Sequence, residues 1–466
     1  MIGTTLLLLS LTSAGAGLVG QTPRETETLS LPAAVASARA QSPMMLAAAA
    51  TTDASAARIE QARAALLPRL DFIESATRSD NPVFVFGSLL NQGRFTESNF
   101  ALDELNQPSP LSLFQSRFLL EQTVFAGGNN WLERRRARLG RDESLETARE
   151  TEMDVMLRVV RGYYGVLLAA RQLEVAEDTL AVGDEDLRSA RVSRDAGLTT
   201  DADVLALEVR RSELEENRIV AENMVELSWM ELNAAMGAPL EARWKLSTPL
   251  TPAPNTNTRT SPRSESSSSQ VEAGLASEGL VHNPELRRGE LHVQSAELAH
   301  RQARSAFLPS IFVHAGWESD RASFTGSGGT NWMLGVSLRM NLFNGLGDRA
   351  RTREAEAELS AARARRAETE SRIRQSLRRA FLDIETARER LSVSEGAAAR
   401  ARESHRITRA RYESGLASVT ELLRSQNALM ASELRELQAT AETRVAIAEL
   451  ERLTGTLSPS SEAIQP

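Results

Sequence analysis

The chain holds 466 residues, 41% hydrophobic and 25% charged, the proportions of a folded chain and not of a disordered one. A net charge of −8 gives no reason to expect nucleic acid as a partner, and Lys245 apart every basic residue is Arg. With no cysteine there is no disulfide, no thiolate metal site and no N-terminal Cys to carry a lipid. No run of about 18 apolar residues would let a helix span a membrane.

Aromatics make up only 5% while Ala, Leu, Arg and Glu dominate, the bias of long helices and coiled coils. Residues 1–20 are expected to be a signal peptide, from the apolar core Leu6–Leu11 and the small residues Ala14-Gly15-Ala16. Two copies of one structural unit follow, over 21–246 and 271–455. Ser42-Pro43 and Leu66-Leu67-Pro68 of the first match Asn283-Pro284 and Phe307-Leu308-Pro309 of the second at an offset of 241. Phe125-Ala126-Gly127, Gly197-Leu198 and Met236-Gly237 match Phe343-Asn344-Gly345, Gly415-Leu416 and Thr454-Gly455 at an offset of 218. The first copy therefore carries 23 extra residues between Pro68 and Phe125, and the Pro- and Asn-rich run 81–110 is where they belong. Residues 247–270, rich in Ser, Thr and Pro, read as a linker, and 456–466 as a flexible tail.

Each copy reads helix, strand, strand, long helix, shorter helix. The long helices are expected over 130–195 and 347–414, and the return helices over 199–236 and 418–453. A helix of about 65 residues is about 100 Å long, and only sideways packing on other helices sustains it. Val155, Val159, Gly162, Val166, Ala169, Leu173, Ala176 and Leu180 alternate steps of four and three, as do Ile373, Leu377, Ala380, Ile384, Ala387, Leu391 and Ser394. That is a coiled-coil seam whose small residues let helices approach closely. Tyr163-Tyr164 and Phe381-Leu382 add a second stripe, suited to a helix with neighbours on both sides. Helices alone fit a soluble antiparallel coiled coil equally well.

The strands carry the distinction. From Asn331 to Phe343, Trp332, Leu334, Val336, Leu338, Met340 and Leu342 alternate with Asn331, Met333, Gly335, Ser337, Arg339 and Asn341. In the matching strand Phe114, Phe118, Leu120 and Val124 share one face, and Arg117, Glu121 and Thr123 the other. Partner strands begin after Pro68 and Pro309, with Ile311, Val313, Ala315 and Trp317 on one face of the second. Strands of about 10–12 residues can cross a bilayer when tilted, apolar side to lipid and polar side to a lumen. Phe84, Phe86, Phe95, Phe114, Phe118, Phe312, Trp317, Phe324 and Trp332 are candidates for an interfacial girdle. A four-stranded sheet packed on helices would show the same alternation. In a membrane, four strands cannot close a barrel, so several chains must share one; two would make eight strands filled by side chains, three would make twelve and leave a lumen.

The paired openings at Ser42-Pro43/Pro68 and Asn283-Pro284/Pro309 are the first of three motif pairs. The second is Val124–Gly128 with Leu342–Gly347, and the third the helix tips Arg194–Leu198 and Arg411–Leu416. With them the chain resembles the TolC-type outer-membrane efflux family over roughly residues 30–455. The resemblance implies a mainly α protein with a membrane β-barrel portion: a homotrimer sharing a twelve-stranded barrel, continued by a helical tunnel across the periplasm, with short helices stacked end to end against the long ones. It implies a passive export duct for small molecules, or alternatively for secreted protein. Its partners would be a periplasmic adaptor docked on the tips (Arg194, Gly197, Leu198, Tyr412, Gly415, Leu416) and an inner-membrane pump of the RND or ABC type. A periplasmic adaptor or scaffold is the reading from another class, and the lipoyl-like or barrel domains expected of an adaptor are not evident.

No P-loop, dinucleotide fingerprint or HExxH pattern is present, and no catalytic residue, metal site or cofactor is expected. Gly197 and Gly415 suit the left-handed residue that ends a long helix. Asp201, Asp203 and Glu421 follow the tips, where acids favour a helix N-terminus. Asp203 and Glu421 both stand six residues after their tip Gly, a position that is acidic in the family. Around a threefold axis they would ring a periplasmic gate, balanced by Arg194, Arg411 or Arg424. Arg117, Glu121 and Arg339 are expected to line the lumen.

Overall fold

A computed structural model describes residues 28–197, 199–250 and 279–465. The expected signal peptide and most of the linker lie outside them. A short strand β1 (Thr28–Leu29) is followed by helices α1 (Leu31–Gln41) and α2 (Pro43–Ala64) and by strand β2 (Arg69–Ser79). The extra residues of the first copy form helices α3 (Pro82–Asn91) and α4 (Leu102–Asn106), joined by a 3-10 turn (Glu97–Phe100). Then come β3 (Leu111–Ala126), the 67-residue helix α5 (Asn129–Asp195), its return helix α6 (Asp201–Met236) and β4 (Lys245–Leu246). The second copy runs α7 (Pro284–Ser305), β5 (Ser310–Arg321), β6 (Gly328–Arg339), the 67-residue helix α8 (Gly347–Glu413) and α9 (Val419–Leu453).

The long helices and those beside them form a wall, on which α1 packs against α5 and α6. Near the sheet α2 lies beside α5, and α7 lies between α5 and α8; further down α6 lies beside α5, and α9 between α5 and α8. Short helices thus stack end to end to match the long ones. The joints are built alike in both copies. Gly237 and Gly455 hold φ of 74° and 71°, a left-handed turn that ends the lower helix and turns the chain away. Each also lets the backbone of the upper helix's start come close: a Cβ on Gly237 would stand 2.6 Å from the Gln41 carbonyl oxygen, and one on Gly455 would meet that of His282. Asn283 closes the second joint twice, capping α7 through Leu286 N (3.1 Å) and donating to the Leu453 carbonyl (2.9 Å).

The predicted seams hold the wall together. Val155, Val159, Val166, Ala169 and Ala176 are buried, and so are Ile373, Leu377, Ala380, Ile384, Ala387 and Leu391. Gly162 lies so close to Leu232 of α6 that a Cβ would come within 3.1 Å of its Cα, which is the close approach the small residues anticipated. Tyr163 and Tyr164 of the second stripe are fully buried, and the Tyr163 hydroxyl donates to the Leu29 carbonyl (3.0 Å) while accepting from Thr248 N (2.9 Å). That hydroxyl ties α5 to β1, which pairs in parallel with β4, so the start of the supposed linker is packed structure.

The tail departs from expectation. Leu457, Ala463 and Ile464 are buried in the main core cluster beside Met153, Met156, Tyr163 and Leu232. Its Ser and Pro content suggested fraying, but three apolar side chains close the core and hold residues 456–465 against it. Gly237→Ala and Gly455→Ala should each cost at least about 2 kcal/mol, adding left-handed strain to a backbone clash. Both variants are then expected to melt below the parent in a thermal scan, whereas unchanged midpoints would mean the joints are looser than described.

Candidate functional site

Four strands form one antiparallel sheet in the order β2-β3-β5-β6, so β2 and β6 are open edges. Leu70, Leu120, Ala315 and Leu334 are in register across it, and Phe72, Phe118, Trp317 and Trp332 form the next row. Ring centroids are 4.9 Å apart between Phe72 and Phe118 and 5.8 Å between Phe118 and Trp317. Among the described residues nothing packs on this face: Trp332 is 79% exposed and Val336 70%. The alternative of a sheet packed on helices fails at that point. Beyond the aromatic row the same face turns polar, with Glu74, Ser116, Ser319 and Thr330 in register and Arg321 bonded to Glu74 at 2.9 Å.

The girdle is narrower than the sequence suggested. Phe72 joins it, whereas Phe312 lies on the opposite face beneath the Arg339 guanidinium (5.7 Å). Phe86 and Phe95 pack on each other inside the insertion, centroids 5.0 Å apart. Val124 falls at a register shift between Thr123 and Phe125, which breaks the strict alternation there.

The opposite face is polar. Arg117 pairs with Glu318 (3.4 Å) and donates to Gln115 Oε1 (2.7 Å), while Gln115 Nε2 donates to Asp320 (2.9 Å). Glu121 stands in register between Arg69 and His314. Arg117, Glu121 and Arg339 therefore share one face, as expected. Glu318, Asp320 and Gln115 join them, and the signal that marks them is the two-residue alternation continued back to the start of β3 and along the polar side of β5.

At the far end of the wall lie the two tips. Gly197 and Gly415 have φ of 75° and 72°. Gly197 N donates to Arg194 O (2.8 Å), Gly415 N to Tyr412 O (2.9 Å) and Leu416 N to Arg411 O (2.8 Å), closing the ends of α5 and α8. Leu416 is 70% exposed; Leu198 lies outside the described residues. Asp203 and Glu421 complete matched capping boxes: Asp203 accepts from Thr200 N (3.2 Å) and Oγ1 (2.8 Å), and Glu421 from Ser418 N (3.1 Å). The hydroxyls of Thr200 and Thr199 and the Thr200 amide hold the Asp203 carboxyl below the usual carboxylate range. Of the arginines expected to balance these acids, Arg194 instead bonds Asp195 (2.7 Å) and is 4.0 Å from Asp201, and Arg411 donates to the Leu416 carbonyl (3.3 Å). The exposed Arg424 makes no side-chain hydrogen bond or ion pair among the described residues. Leu187, Ala190, Val204, Leu207 and Val419 pack the two tips together, with Tyr412 against them.

The described residues thus form a wall of long helices carrying a sheet with an uncovered apolar face and two open edges. A family model described as outer membrane efflux protein matches residues 34–238 and 275–456, and the chain belongs to that family. It is similar to the cation efflux system protein CusC of Escherichia coli K12, 28% identical over 298 residues, 62% of this chain and 61% of CusC. It is likewise 28% identical over 307 residues to the alkaline protease secretion protein AprF of Pseudomonas aeruginosa, 63% of this chain and 56% of AprF. The matched stretch thus spans about three fifths of these relatives' length. The Campylobacter jejuni CmeC outer membrane channel shares the fold, with a TM-score of 0.75 over 93% of this chain and 88% of that one at 14% identity.

One buried acid near the tips was not anticipated. Asp186 of α5 is 6% exposed with Oδ2 unpartnered, and burial pushes its pKa up to about 6, with Glu185 and Glu413 adding to the rise and Arg409 opposing it. An acid that holds its proton more tightly folded than unfolded loses stability as pH rises, here between about 4 and about 6. The stability difference between the parent and Asp186→Asn should therefore shift against the parent by about 2–3 kcal/mol across that window. Denaturation of both chains at several pH values checks this, and parallel curves would contradict it.

Proposed function

We propose that three copies of this chain form a passive export duct in the outer membrane. Their twelve strands close one barrel, and their helices continue it as a tunnel through the periplasm. The observation that carries this reading is the sheet: both long edges are open, one face is apolar and uncovered, and the other is charged. Lipid covers the apolar face and water fills the space inside the charged one.

The tips are the proposed gate and docking surface. Exposed Leu416 presents an apolar knob to a periplasmic adaptor, and through it to an inner-membrane pump, with Arg194, Gly197, Leu198, Tyr412 and Gly415 as the other docking candidates. Asp201, Asp203 and Glu421, with Arg424 among them, ring the narrow end. The depressed pKa of Asp203 keeps that acid charged, which favours cations at the entrance. The cargo is set by the pump, so efflux of small solutes is the primary reading. AprF's name makes protein secretion the second.

Purified protein in planar bilayers should form cation-selective pores, and Glu421→Gln should lower the cation preference at least about twofold by removing one charge per copy. Unchanged selectivity would remove Glu421 from the gate, and absence of any pore would refute the duct.

A further inference from the structure

The insertion in the first copy does not loop away from the barrel mouth. Gly329 of β6 lies on the same face as Asn331 and Arg339, the charged face, and a Cβ there would run into the Asn91 carbonyl at the end of α3. The Gln92 side chain, 3% exposed, donates to the backbone carbonyls of Ser112 (3.0 Å) and Arg321 (3.4 Å), at the distal ends of β3 and β5. Asp320, on the charged face of β5, is fully buried with Oδ2 unpartnered, although a lumen-lining acid should be wet. The Gly329 contact puts the insertion over the charged side of the strand ends, the Gln92 bonds hold it at those ends, and the burial of Asp320 on the same face agrees. It has a core of its own, in which Phe95 packs between Phe86 and Phe100 at 5.0 and 5.1 Å.

We infer that residues 82–108 form an inward-folded cap that constricts the outer mouth and sets the size of molecule that passes there; this rests on the duct reading. Twelve strands about 4.8 Å apart, tilted about 40°, make a ring about 24 Å across. A helix with its side chains is about 10 Å thick, so three caps on the lumen face take up most of that bore. Gln92 is the latch, since its amide reaches two strands that belong to different copies of the repeat. Gly329 is the seat, because only a residue without a side chain leaves room for the Asn91 carbonyl.

The chain has no cysteine, so Ser337→Cys places a single thiol on the charged face, about 26 Å along β6 from Gly329. Two reagents are added to intact cells: a small charged methanethiosulfonate, and a maleimide broader than the capped mouth but narrower than the bore. Three backgrounds are compared: the full chain, one with 82–108 replaced by a short Gly/Ser turn, and Gly329→Leu, which unseats the cap without deleting it. The small reagent should label all three, and the broad one should label the two altered backgrounds at least about tenfold faster than the full chain. Equal rates for the broad reagent in all three would overturn the cap and leave the duct standing. Failure of the small reagent even without the cap would show that this face lines no water-filled lumen, which overturns the duct reading as well.

Discussion

A backbone N–H or C=O left unpaired in hydrocarbon costs several kcal/mol, and β2 and β6 each present a row of them. The sheet cannot satisfy them internally: four strands are half the number that closes the smallest membrane barrel. The edges must therefore find other edges. β2 and β6 run antiparallel to each other in the alternating order β2-β3-β5-β6, so β6 of one copy can pair with β2 of the next without breaking the alternation. In the proposed duct, oligomerisation answers the chain's own hydrogen-bond deficit, and lipid meets the exposed apolar face.

The helical part follows from a second constraint. Helices about 100 Å long need lateral partners throughout, and a single return helix of 35 or 36 residues covers only about half of that length. The chain makes up the difference with α2 and α7, which enter from the sheet side and meet the return helices end on. Glycine at both joints makes this possible, because a side chain there would be driven into the backbone of the incoming helix. Repetition of the unit gives α5 neighbours on both sides within one protomer, with α2 and α6 left at one border of the wall and α8 at the other.

Much of this was legible in the sequence because the deciding features are periodic. The four-three seams from Val155 and from Ile373 and the two-residue alternation from Trp332 to Leu338 were placed on the correct faces, and the 241 and 218 offsets located both tips and the insertion. What escaped was aperiodic. Ile464 and Leu457 sit in a Ser/Pro-rich tail with no repeat to mark them, so their burial appears only in three dimensions. The inward fold of the insertion depends on one side chain, Gln92, and one missing Cβ, at Gly329. Asp186 carries no pattern that separates it from the many charged residues of α5, and its burial, with Arg409 and Glu413 of α8 near it, appears only in three dimensions. The acids after the tips were recognised as helix-cap residues or gate residues. Asp203 and Glu421 do cap their helices, and a carboxylate on the first turn of a helix can do both.

The central claim is that β2 and β6 close on neighbouring copies. Ile73 and Asn331 lie in one row on opposite edges of the sheet, three strand spacings or about 14 Å apart, too far for a disulfide within one chain. Cysteine pairs placed around these two positions in the otherwise cysteine-free chain, oxidised in outer membranes and resolved on a denaturing gel, test the closure directly. The account predicts covalent dimers and trimers and nothing larger, because the third bond closes the ring. Monomer alone across the whole panel, or a ladder running past three, would contradict it.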